Sequence, residues 1–244
     1  MSKPRSQKLP VHGWIVLDKP TGITSTQALA QVKRIFNAAK AGHAGTLDPL
    51  AEGILPLAFG EATKTVPFLV DAQKSYQFTV RWGVETTTDD MEGTPTRGSA
   101  VRPAHAQILA SLHAFCGAIL QTPPAFSAVK VEGERAYDLA RDGVELTLTP
   151  REVMVHRIEI AGMPDADHTQ FHMVCGKGTY VRAFARDLGR KLGCFGHISA
   201  LRRTRVGPFG TALAVTLEKL HEYAKNGEAK RFLRPIATAL DDIP

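Results

Sequence analysis

The chain has 244 residues, and 43% of them are hydrophobic, so it can form one large domain or two small ones around a sizeable core. No apolar run approaches the roughly 18 residues that a membrane-spanning helix needs. The basic N-terminus is not followed by the apolar segment of a signal peptide. Three cysteines without a closely spaced pair argue against a disulfide framework and favour the cytoplasm, and the net charge of +6 indicates a polyanionic partner.

The first predicted elements are a buried strand and a helix. The stretch "HGWIVLDKPTGITS" is an apolar run closed by Pro20 and Gly22, which predicts a strand followed by a turn. Thr24 and Gln27 have the spacing of a capping box, so a helix is predicted to begin here. A glycine-rich loop, "AGHAGTLDP", follows this helix.

The next elements run from a strand to a second helix. In "SYQFTVRW" the apolar and polar residues alternate, which is typical of a strand with one buried face. Residues 84–103 are predicted to be a polar loop. The segment 104–116 repeats apolar residues at helical spacing, and Gly117 ends it.

The second half of the chain begins with an excursion from the core at residues 123–150, which is polar and long enough to be a binding element. Strands are predicted in "EVMVHRIEI", "TQFHMVCG" and "ISALRRTRVG", and helices in "TYVRAFARDLGRKLG" and between Thr216 and Gly227. Because strands and helices are interspersed without a regular βαβ alternation, the predicted class is α+β with a largely antiparallel sheet.

Three kinds of reactive site are disfavoured by the residue patterns. A zinc site is disfavoured because His172 and Cys175 fall on opposite faces of one predicted strand and no CxxC pair exists. The stretch "GKGTY" could bind an anion at a helix start, but it lacks the spacing of a nucleotide-hydrolysing loop. No G-x-S-x-G motif is present for a serine nucleophile.

One carboxylate remains as a candidate reactive group, Asp48 in the glycine-rich loop. An ionised Asp can act as a nucleophile when it is shielded from water and held by a cation. Gly42 and Gly45 permit the close approach of a flat ring, and Pro49 restricts the backbone after Asp48. An Asx-turn before proline is the structural alternative for the same residues.

A series of motifs resembles the TruB family of tRNA pseudouridine-55 synthases. The stretch "GHAGTLDPLAEGILPLAFGEATK" is similar to the catalytic motif of that family, and "LDKPTGITS" to its N-terminal motif. "KSYQFTVRWG" resembles the strand with the active-site tyrosine, "CGKGTYVRAFARDLG" the arginine motif, and "LRRTRVGPF" the strand that closes the pocket. These motifs occur in the family's order over roughly residues 10 to 220, which implies a pseudouridine synthase fold.

The resemblance implies three catalytic residues. Asp48 matches the catalytic aspartate, Tyr76 the tyrosine that stacks against the target base, and Arg182 the arginine that pairs with the aspartate. Without the resemblance, Tyr76 reads as a core residue of its strand, and Arg182 as one charge of a solvated helix face.

The resemblance also implies five substrate-binding residues. His43 takes up the space that the flipped base leaves in the RNA loop. Tyr180 and Leu201 surround the uracil ring, and Lys19 and Pro20 support the glycine-rich loop. From their local patterns alone, His43 is a plain loop residue and Leu201 an ordinary core residue.

Basic residues are predicted to follow the RNA backbone. Arg182, Arg186 and Arg190 are four residues apart, so they form one face of a helix. This face is read as part of a phosphate-tracking surface, with a solvated face as the alternative. The predicted backbone contacts are Lys33, Arg34, Lys64, Lys130, Arg186 and Arg202. The region 123–150 contains a stretch similar to the family's RNA-gripping insertion.

The function implied by the resemblance is isomerisation of uridine 55 in the T loop of tRNA to pseudouridine. The base is flipped out, the glycosidic bond is cleaved, and a C–C bond forms at C5, without metal or organic cofactor. Asp48 attacks the base, attacks the ribose or removes the 2′ proton. The expected enzyme is a monomer that needs no guide RNA and no membrane. The alternatives are a related synthase that acts on another RNA and a non-catalytic tRNA-folding factor.

The expected domain organisation has three parts. Residues 1–10 are a flexible basic arm, and residues 11–230 are the catalytic domain with the insertion at about 123–150. Residues 231–244 are expected to be a linker toward a C-terminal PUA-like domain that is absent from this chain.

Overall fold

The computed structural model describes residues 7–127, 129–131, 134–136 and 148–242. The chain folds into two compact units. The first unit contains the residues up to Lys74 together with those from Arg202 onward, and the second contains residues 75–201. The single catalytic domain predicted for residues 11–230 therefore consists of two units.

The predicted elements follow the chain in the predicted order, and the structure adds a helix at Val66–Asp71, an eight-residue strand at Glu52–Phe59 and several shorter strands. The strands are β1 (Gly13–Lys19), β2 (Ala41–His43), β3 (Glu52–Phe59), β4 (Lys74–Trp82), β5 (Val84–Thr86), β6 (Pro95–Gly98), β7 (Gly117–Gln121), β8 (Lys130–Val131), β9 (Glu134–Arg135), β10 (Arg151–Asp165), β11 (His168–Cys175), β12 (Gly196–Val206), β13 (Phe209–Gly210) and β14 (Val215–Thr216). The helices are α1 (Ser25–Ile35), α2 (Val66–Asp71), α3 (His105–Leu112), α4 (Val181–Lys191) and α5 (Leu217–Lys225).

The sheet of the first unit is built around β1 and β3. These two strands pair antiparallel from Gly13 opposite Phe59 to Lys19 opposite Gly53. β14 joins β1 in parallel, and the last residues of β12 join β3 in parallel, while β2 pairs antiparallel with β3. One face of this sheet is covered by an apolar cluster that includes Trp14, Ile54 and Phe209. Both faces of β3 are buried, and this strand directly follows the glycine-rich loop.

The sheet of the second unit has the order β12–β4–β11–β10–β7, with the first residues of β12 at one edge. β10 pairs antiparallel with β11 and with β7. The core lies between this sheet and the helices α3 and α4. At its centre the rings of Phe78, Phe171 and Phe184 lie 5.4 to 5.7 Å apart. This core fixes the position of α4, which contains the arginine motif.

Several predictions are confirmed. The class is α+β with a mixed, largely antiparallel sheet. The Thr24 hydroxyl accepts a hydrogen bond from the Gln27 N–H, and the Gln27 side chain accepts one from the Thr24 N–H, so α1 begins with the predicted capping box. His172 is exposed and Cys175 buried on opposite faces of β11.

The segment 84–103 is not simply a polar loop. β5 and β6 form a hairpin within it that carries four buried polar residues, two in β5 and two in the turn. The Thr86 hydroxyl bonds locally, donating to the Asp90 carbonyl, but Glu85 and Asp89 bond arginines about a hundred residues along the chain. The buried residues are Glu85, Thr86, Asp89 and Asp90.

The linker predicted at residues 231–244 is not a linker in its described part. The Arg234 carbonyl accepts a hydrogen bond from the Trp14 N–H at 2.9 Å, and Ala239 belongs to the core cluster of the first unit. Buried apolar contacts of this kind hold the segment to the unit. In the predicted insertion, β8 and β9 pair antiparallel, and residues 137–147 lie outside the described residues. Across the described residues, no helix is long and apolar enough to span a membrane.

Candidate functional site

Asp48 lies on a loop whose backbone is anchored at nearly every residue. The Ala44 N–H donates to the Pro56 carbonyl at 2.9 Å, which ties the start of the loop to β3. The Ser25 hydroxyl bonds both backbone groups of Leu47, donating to the carbonyl at 2.9 Å and accepting from the N–H at 2.8 Å. The Ala51 N–H donates to the Asp48 carbonyl at 3.1 Å. Such anchoring fixes the direction in which the half-buried Asp48 side chain leaves the backbone.

Lys19 anchors the far side of the same loop. This lysine is 0% exposed, and its ammonium donates to the carbonyls of Pro20 and Ile23 at 2.8 Å and of Pro49 at 3.5 Å. The Gly22 N–H also donates to the Pro49 carbonyl, at 2.8 Å. The K-P-T-G turn after β1 is therefore in contact with the loop that contains Asp48, as the resemblance implies for Lys19 and Pro20.

Arg203 anchors the near side of the loop from β12. Its side chain is almost fully buried, and it donates to the carbonyls of Ile54 at 2.8 Å, Gly45 at 3.0 Å and Thr46 at 3.4 Å. Gly45 has φ +83°, and a Cβ there would lie 3.4 Å from an Arg203 Nη atom. The left-handed backbone favours glycine at this position, and it brings the loop against the guanidinium.

His43 is the last residue of β2 and is half-buried beside this loop. Burial lowers the pKa of its imidazole below the usual value, and the positive charge of Arg203 lowers it further. Its Nδ1 is buried and has no hydrogen-bond partner within the described part of the chain. Neutral His43 therefore presents a ring without charge next to Asp48's loop, which suits contact with a stacked base.

Tyr180 and Arg182 belong to the second unit, at the start of α4. The Gln121 side chain holds the Tyr180 backbone on both sides, accepting from its N–H at 2.8 Å and donating to its carbonyl at 3.0 Å. Arg182 is 5% exposed and donates to the carbonyls of Thr88 and Phe126 at 2.8 Å each. These contacts fix the guanidinium, and its Nε lies 3.7 Å from a carboxylate oxygen of Asp90.

The predicted phosphate-tracking stripe on α4 is wrong. Arg186 is 7% exposed and its guanidinium bonds the Asp89 carboxylate at 2.9 Å and the Thr122 carbonyl at 2.7 Å. Arg190 forms two hydrogen bonds of 2.7 Å to Glu85. Each arginine of the stripe thus faces an acidic residue of the β5–β6 hairpin, and Arg190, whose side chain is 45% exposed, also reaches solvent. Arg186, predicted as an RNA-backbone contact, has its donors occupied inside the second unit.

The hairpin acids have perturbed pKa values. Burial raises the pKa of Asp89 to about 6, even though the charge of Arg186 opposes this shift. Burial also acts to raise the pKa of Glu85, but the hydrogen bonds and charge of Arg190 outweigh it and the pKa is lowered. Asp89 also has a left-handed backbone, with φ 60°, which Asp tolerates better than most residues.

Tyr76 and Leu201 both pack against the core of the second unit while remaining partly exposed. Tyr76 shares the face of β4 with Phe78, Val80 and Trp82, as predicted, but only these three are fully buried. A partly exposed tyrosine at the edge of a core combines an apolar ring with a polar hydroxyl. Their roles toward a base stay predictions.

The other predicted RNA-backbone residues differ in exposure. Arg34 is exposed and Lys33 half-buried in the last turn of α1. Lys64 is exposed and paired with Glu61. Arg202 is bonded to Asp18 at 2.7 Å and lies 3.2 Å from Glu52, so its charge is compensated. The backbone of Lys130 lies in β8, and its side chain is outside the described residues.

Some residues of the site were missed in the sequence. Ser25 and Gln121 carry no motif, because a serine at a helix start and a glutamine at a strand end are common. The acids of "VETTTDD" could have been predicted from the sequence as partners of the α4 arginines. Three arginines at helical spacing on a helix with a strongly apolar opposite side need partners if that helix is buried.

The described residues contain no group of three or more His, Cys, Asp or Glu side chains placed to hold a metal ion. The arrangement instead offers an anchored carboxylate, a neutral imidazole and fixed guanidinium groups. These groups can perform nucleophilic or acid–base chemistry on an organic substrate.

Comparisons with known proteins identify the family of the chain. Residues 33–181 match the model of the TruB family pseudouridylate synthase N-terminal domain, and residues 182–241 match that of the tRNA pseudouridylate synthase B C-terminal domain. The chain is 57% identical over 248 residues to tRNA pseudouridine synthase B of Nitrobacter winogradskyi, covering 100% of this chain and 69% of the relative. It is 58% identical over 234 residues to tRNA pseudouridine synthase B of Caulobacter vibrioides, covering 96% and 76%.

The fold is also similar to that of a solved structure. The crystal structure of a Cbf5–Nop10–Gar1 complex contains a chain that matches with a TM-score of 0.76 and 30% identity. The match covers 96% of this chain and 63% of that chain, which is less than two thirds of its length. From the matched family models and the identity to these relatives, the chain belongs to the TruB family of pseudouridylate synthases, enzymes that isomerise uridine in RNA to pseudouridine.

Proposed function

We propose that this chain isomerises uridine 55 in the T loop of tRNA to pseudouridine, with Asp48 as the catalytic aspartate. The observation that carries the proposal is the anchored loop around Asp48. Ser25, Lys19 and Arg203 all bond its backbone, so the carboxylate is held in one orientation before substrate arrives. Family membership and the names of the relatives supply the substrate: each is a tRNA pseudouridine synthase B.

The reaction needs the target uridine outside the stack of the T loop. Extruding a base costs a few kcal/mol, which contacts to the flipped nucleotide and to the RNA backbone offset. His43, whose lowered pKa keeps the ring neutral at pH 7, fills the space that the base leaves without bringing a charge into the stack. Tyr76 stacks on the flipped uracil, and Tyr180 and Leu201 surround it. Lys19 and Pro20 hold the loop.

The chemistry exchanges one bond to the ribose C1′ for another. The bond from C1′ to N1 breaks, the uracil turns, and a bond from C1′ to C5 forms. The proton on C5 is removed and N1 gains a proton, so the product has the mass of the substrate. Asp48 assists the detachment of the base, and Arg182 is the cation that stabilises its negative charge. No metal or organic cofactor is required.

The partner is the T stem-loop of tRNA, and the purified protein acts alone as a monomer, without guide RNA. Arg34, Lys33 and Lys64 are the exposed or half-exposed candidates for backbone contact. A tRNA substrate accords with localisation in the cytoplasm.

The test is pseudouridine mapping by chemical adducts on T stem-loop RNA treated with the purified protein. We expect wild type to modify uridine 55, and Asp48→Asn to abolish the reaction while tRNA binding stays within about tenfold, about 1.4 kcal/mol. Asp241→Asn, an exposed aspartate of the same unit, is the matched control and should behave as wild type. Near-normal turnover by Asp48→Asn would exclude the proposed role of Asp48.

The same assay separates the alternatives. A synthase for another RNA would leave the T stem-loop unmodified and modify a ribosomal RNA fragment. A tRNA-folding factor would bind the tRNA and modify neither RNA.

A further inference from the structure

Arg203 is a buried charge that takes part in no chemical step of the proposed reaction. It lies in the part of β12 that pairs in parallel with β3, opposite Gly53. The pairing is close: Gly53 has φ +100°, and a Cβ there would lie 2.2 Å from the Arg203 carbonyl oxygen. Arg203 therefore has a fixed backbone position, and its side chain is 2% exposed. A buried arginine of this kind makes no contact with RNA phosphate.

The guanidinium bridges two separate parts of the first unit. Its Nε donates to the Ile54 carbonyl in β3 at 2.8 Å, and its two terminal nitrogens donate to the Gly45 and Thr46 carbonyls at 3.0 and 3.4 Å. The planar fork reaches both because its donors point in different directions. A lysine ammonium on a flexible stem offers no such fixed pair of directions.

We propose that Arg203 is a positioning residue for the reaction, holding the backbone at Gly45 and Thr46 against β3 so that Asp48, two residues further on, meets the uridine in a reactive orientation. This inference rests on the function proposed for Asp48. Ser25 fixes Leu47 and Lys19 contacts Pro49, while Arg203 supplies the side-chain anchor at Gly45 and Thr46. Without the guanidinium, the backbone at Gly45 and Thr46 loses these bonds, and the orientation of Asp48 is less restricted.

Arg203 has a second, electrostatic effect on the same region. Its charge adds to burial in lowering the pKa of His43. The imidazole of His43 therefore reports on the charge at position 203. An arginine whose charge does not reach His43 would leave this titration unchanged when it is replaced.

The experiment compares Arg203→Lys and Arg203→Met with wild type. Single-turnover rates are measured at saturating tRNA, together with the dissociation constant of tRNA and the NMR titration of His43. We expect both variants to lose about a hundredfold in single-turnover rate, the loss typical of a misplacement of about 1 Å. The dissociation constant and its dependence on salt should stay within threefold of wild type, because a buried side chain releases no counterions.

The His43 titration separates charge from geometry. Arg203→Met removes the charge, so the pKa of His43 should rise, whereas Arg203→Lys retains the charge and should leave it low. Arg205→Met is the matched control, since Arg205 lies on the same strand with its donors on the Gly207 carbonyl and Asp242. It should change neither the titration nor the single-turnover rate.

Two results would overturn the proposal: a single-turnover rate near wild type in Arg203→Lys and Arg203→Met, or a loss confined to tRNA affinity. If Arg203→Met does not fold, the single-turnover rate of Arg203→Lys tests the proposal alone. The lysine keeps a positive charge near the buried carbonyls, so this variant is expected to fold. The wild-type arm keeps the two proposals apart. If wild type leaves the RNA unmodified, the proposed function is refuted. If wild type is active, the rates of the Arg203 variants test the role of Arg203.

Discussion

The two units bury their cations in opposite ways. In the first unit, Lys19 and Arg203 are fully buried and donate to backbone carbonyls. In the second unit, Arg182, Arg186 and Arg190 follow one another along α4 and face acids of the β5–β6 hairpin. Both arrangements satisfy the donors of a buried cation, which is costly to leave unpaired.

The two arrangements differ in the charge that remains once the donors of the cation are satisfied. A carbonyl satisfies a donor through its dipole without neutralising the positive charge, and the charge of Arg203 acts on His43, whose pKa it lowers. A carboxylate cancels the charge of its arginine, and it can take up a proton when burial raises its pKa, as for Asp89. We therefore expect the first unit's cations to govern the orientation and charge of the site. Arg186 and Arg190 of the second unit should govern stability and its dependence on pH.

The largest expected effect is from Arg186→Met. It leaves the buried Asp89 without its closest cation, and deletion of one member of a buried pair costs on the order of 3–5 kcal/mol of the free energy of unfolding. The cost should be smaller at pH 5 than at pH 8, because protonation of Asp89 removes the uncompensated charge. Urea unfolding at the two pH values measures this.

Arg81→Met, at an exposed position of β4, is the control for Arg186→Met and should change the free energy of unfolding by less than about 0.5 kcal/mol. A weaker salt dependence of tRNA binding in Arg186→Met, with unchanged stability, would restore the phosphate-tracking interpretation of α4.

The next largest effect is from Asp89→Asn, and it depends on pH. The folded-state pKa of about 6 lies above the usual value of 3.8, so the contribution of Asp89 to stability is present below pH 3.8 and is lost as the pH rises through 6. The free energy of unfolding of Asp89→Asn relative to wild type should therefore increase between pH 4 and pH 7, by on the order of 1–3 kcal/mol. Parallel curves for the two proteins over this range would contradict the raised pKa.

The smallest effect is expected from Arg190→Met. The Arg190 side chain is 45% exposed, so water replaces part of its interaction with Glu85. We expect a loss of about 1 kcal/mol in the free energy of unfolding, which high salt reduces. A loss as large as that of Arg186→Met would show that the contribution of these arginine–carboxylate pairs to stability does not depend on their exposure.

Local patterns predicted much of the fold. The capping box of Thr24 and Gln27, the alternation in β4 and the glycine after α5 depend on residues within a few positions of each other. The motif around Asp48 and its resemblance to the TruB family identified the reactive loop. Such features are readable because helical and strand periodicities are properties of short stretches of chain.

The partners of the buried charges were not readable in this way. The sequence by itself determined the class, the order of the elements, the family and the position of Asp48. Only the tertiary structure decided that Arg186 bonds Asp89, 97 residues away, and that Arg203 bonds Gly45, 158 residues away. A basic residue at helical spacing has the same local pattern whether it faces solvent, phosphate or a buried acid. Its partner is chosen when strands β3 and β12, or helix α4 and the β5–β6 hairpin, pack together and exclude water from the charge.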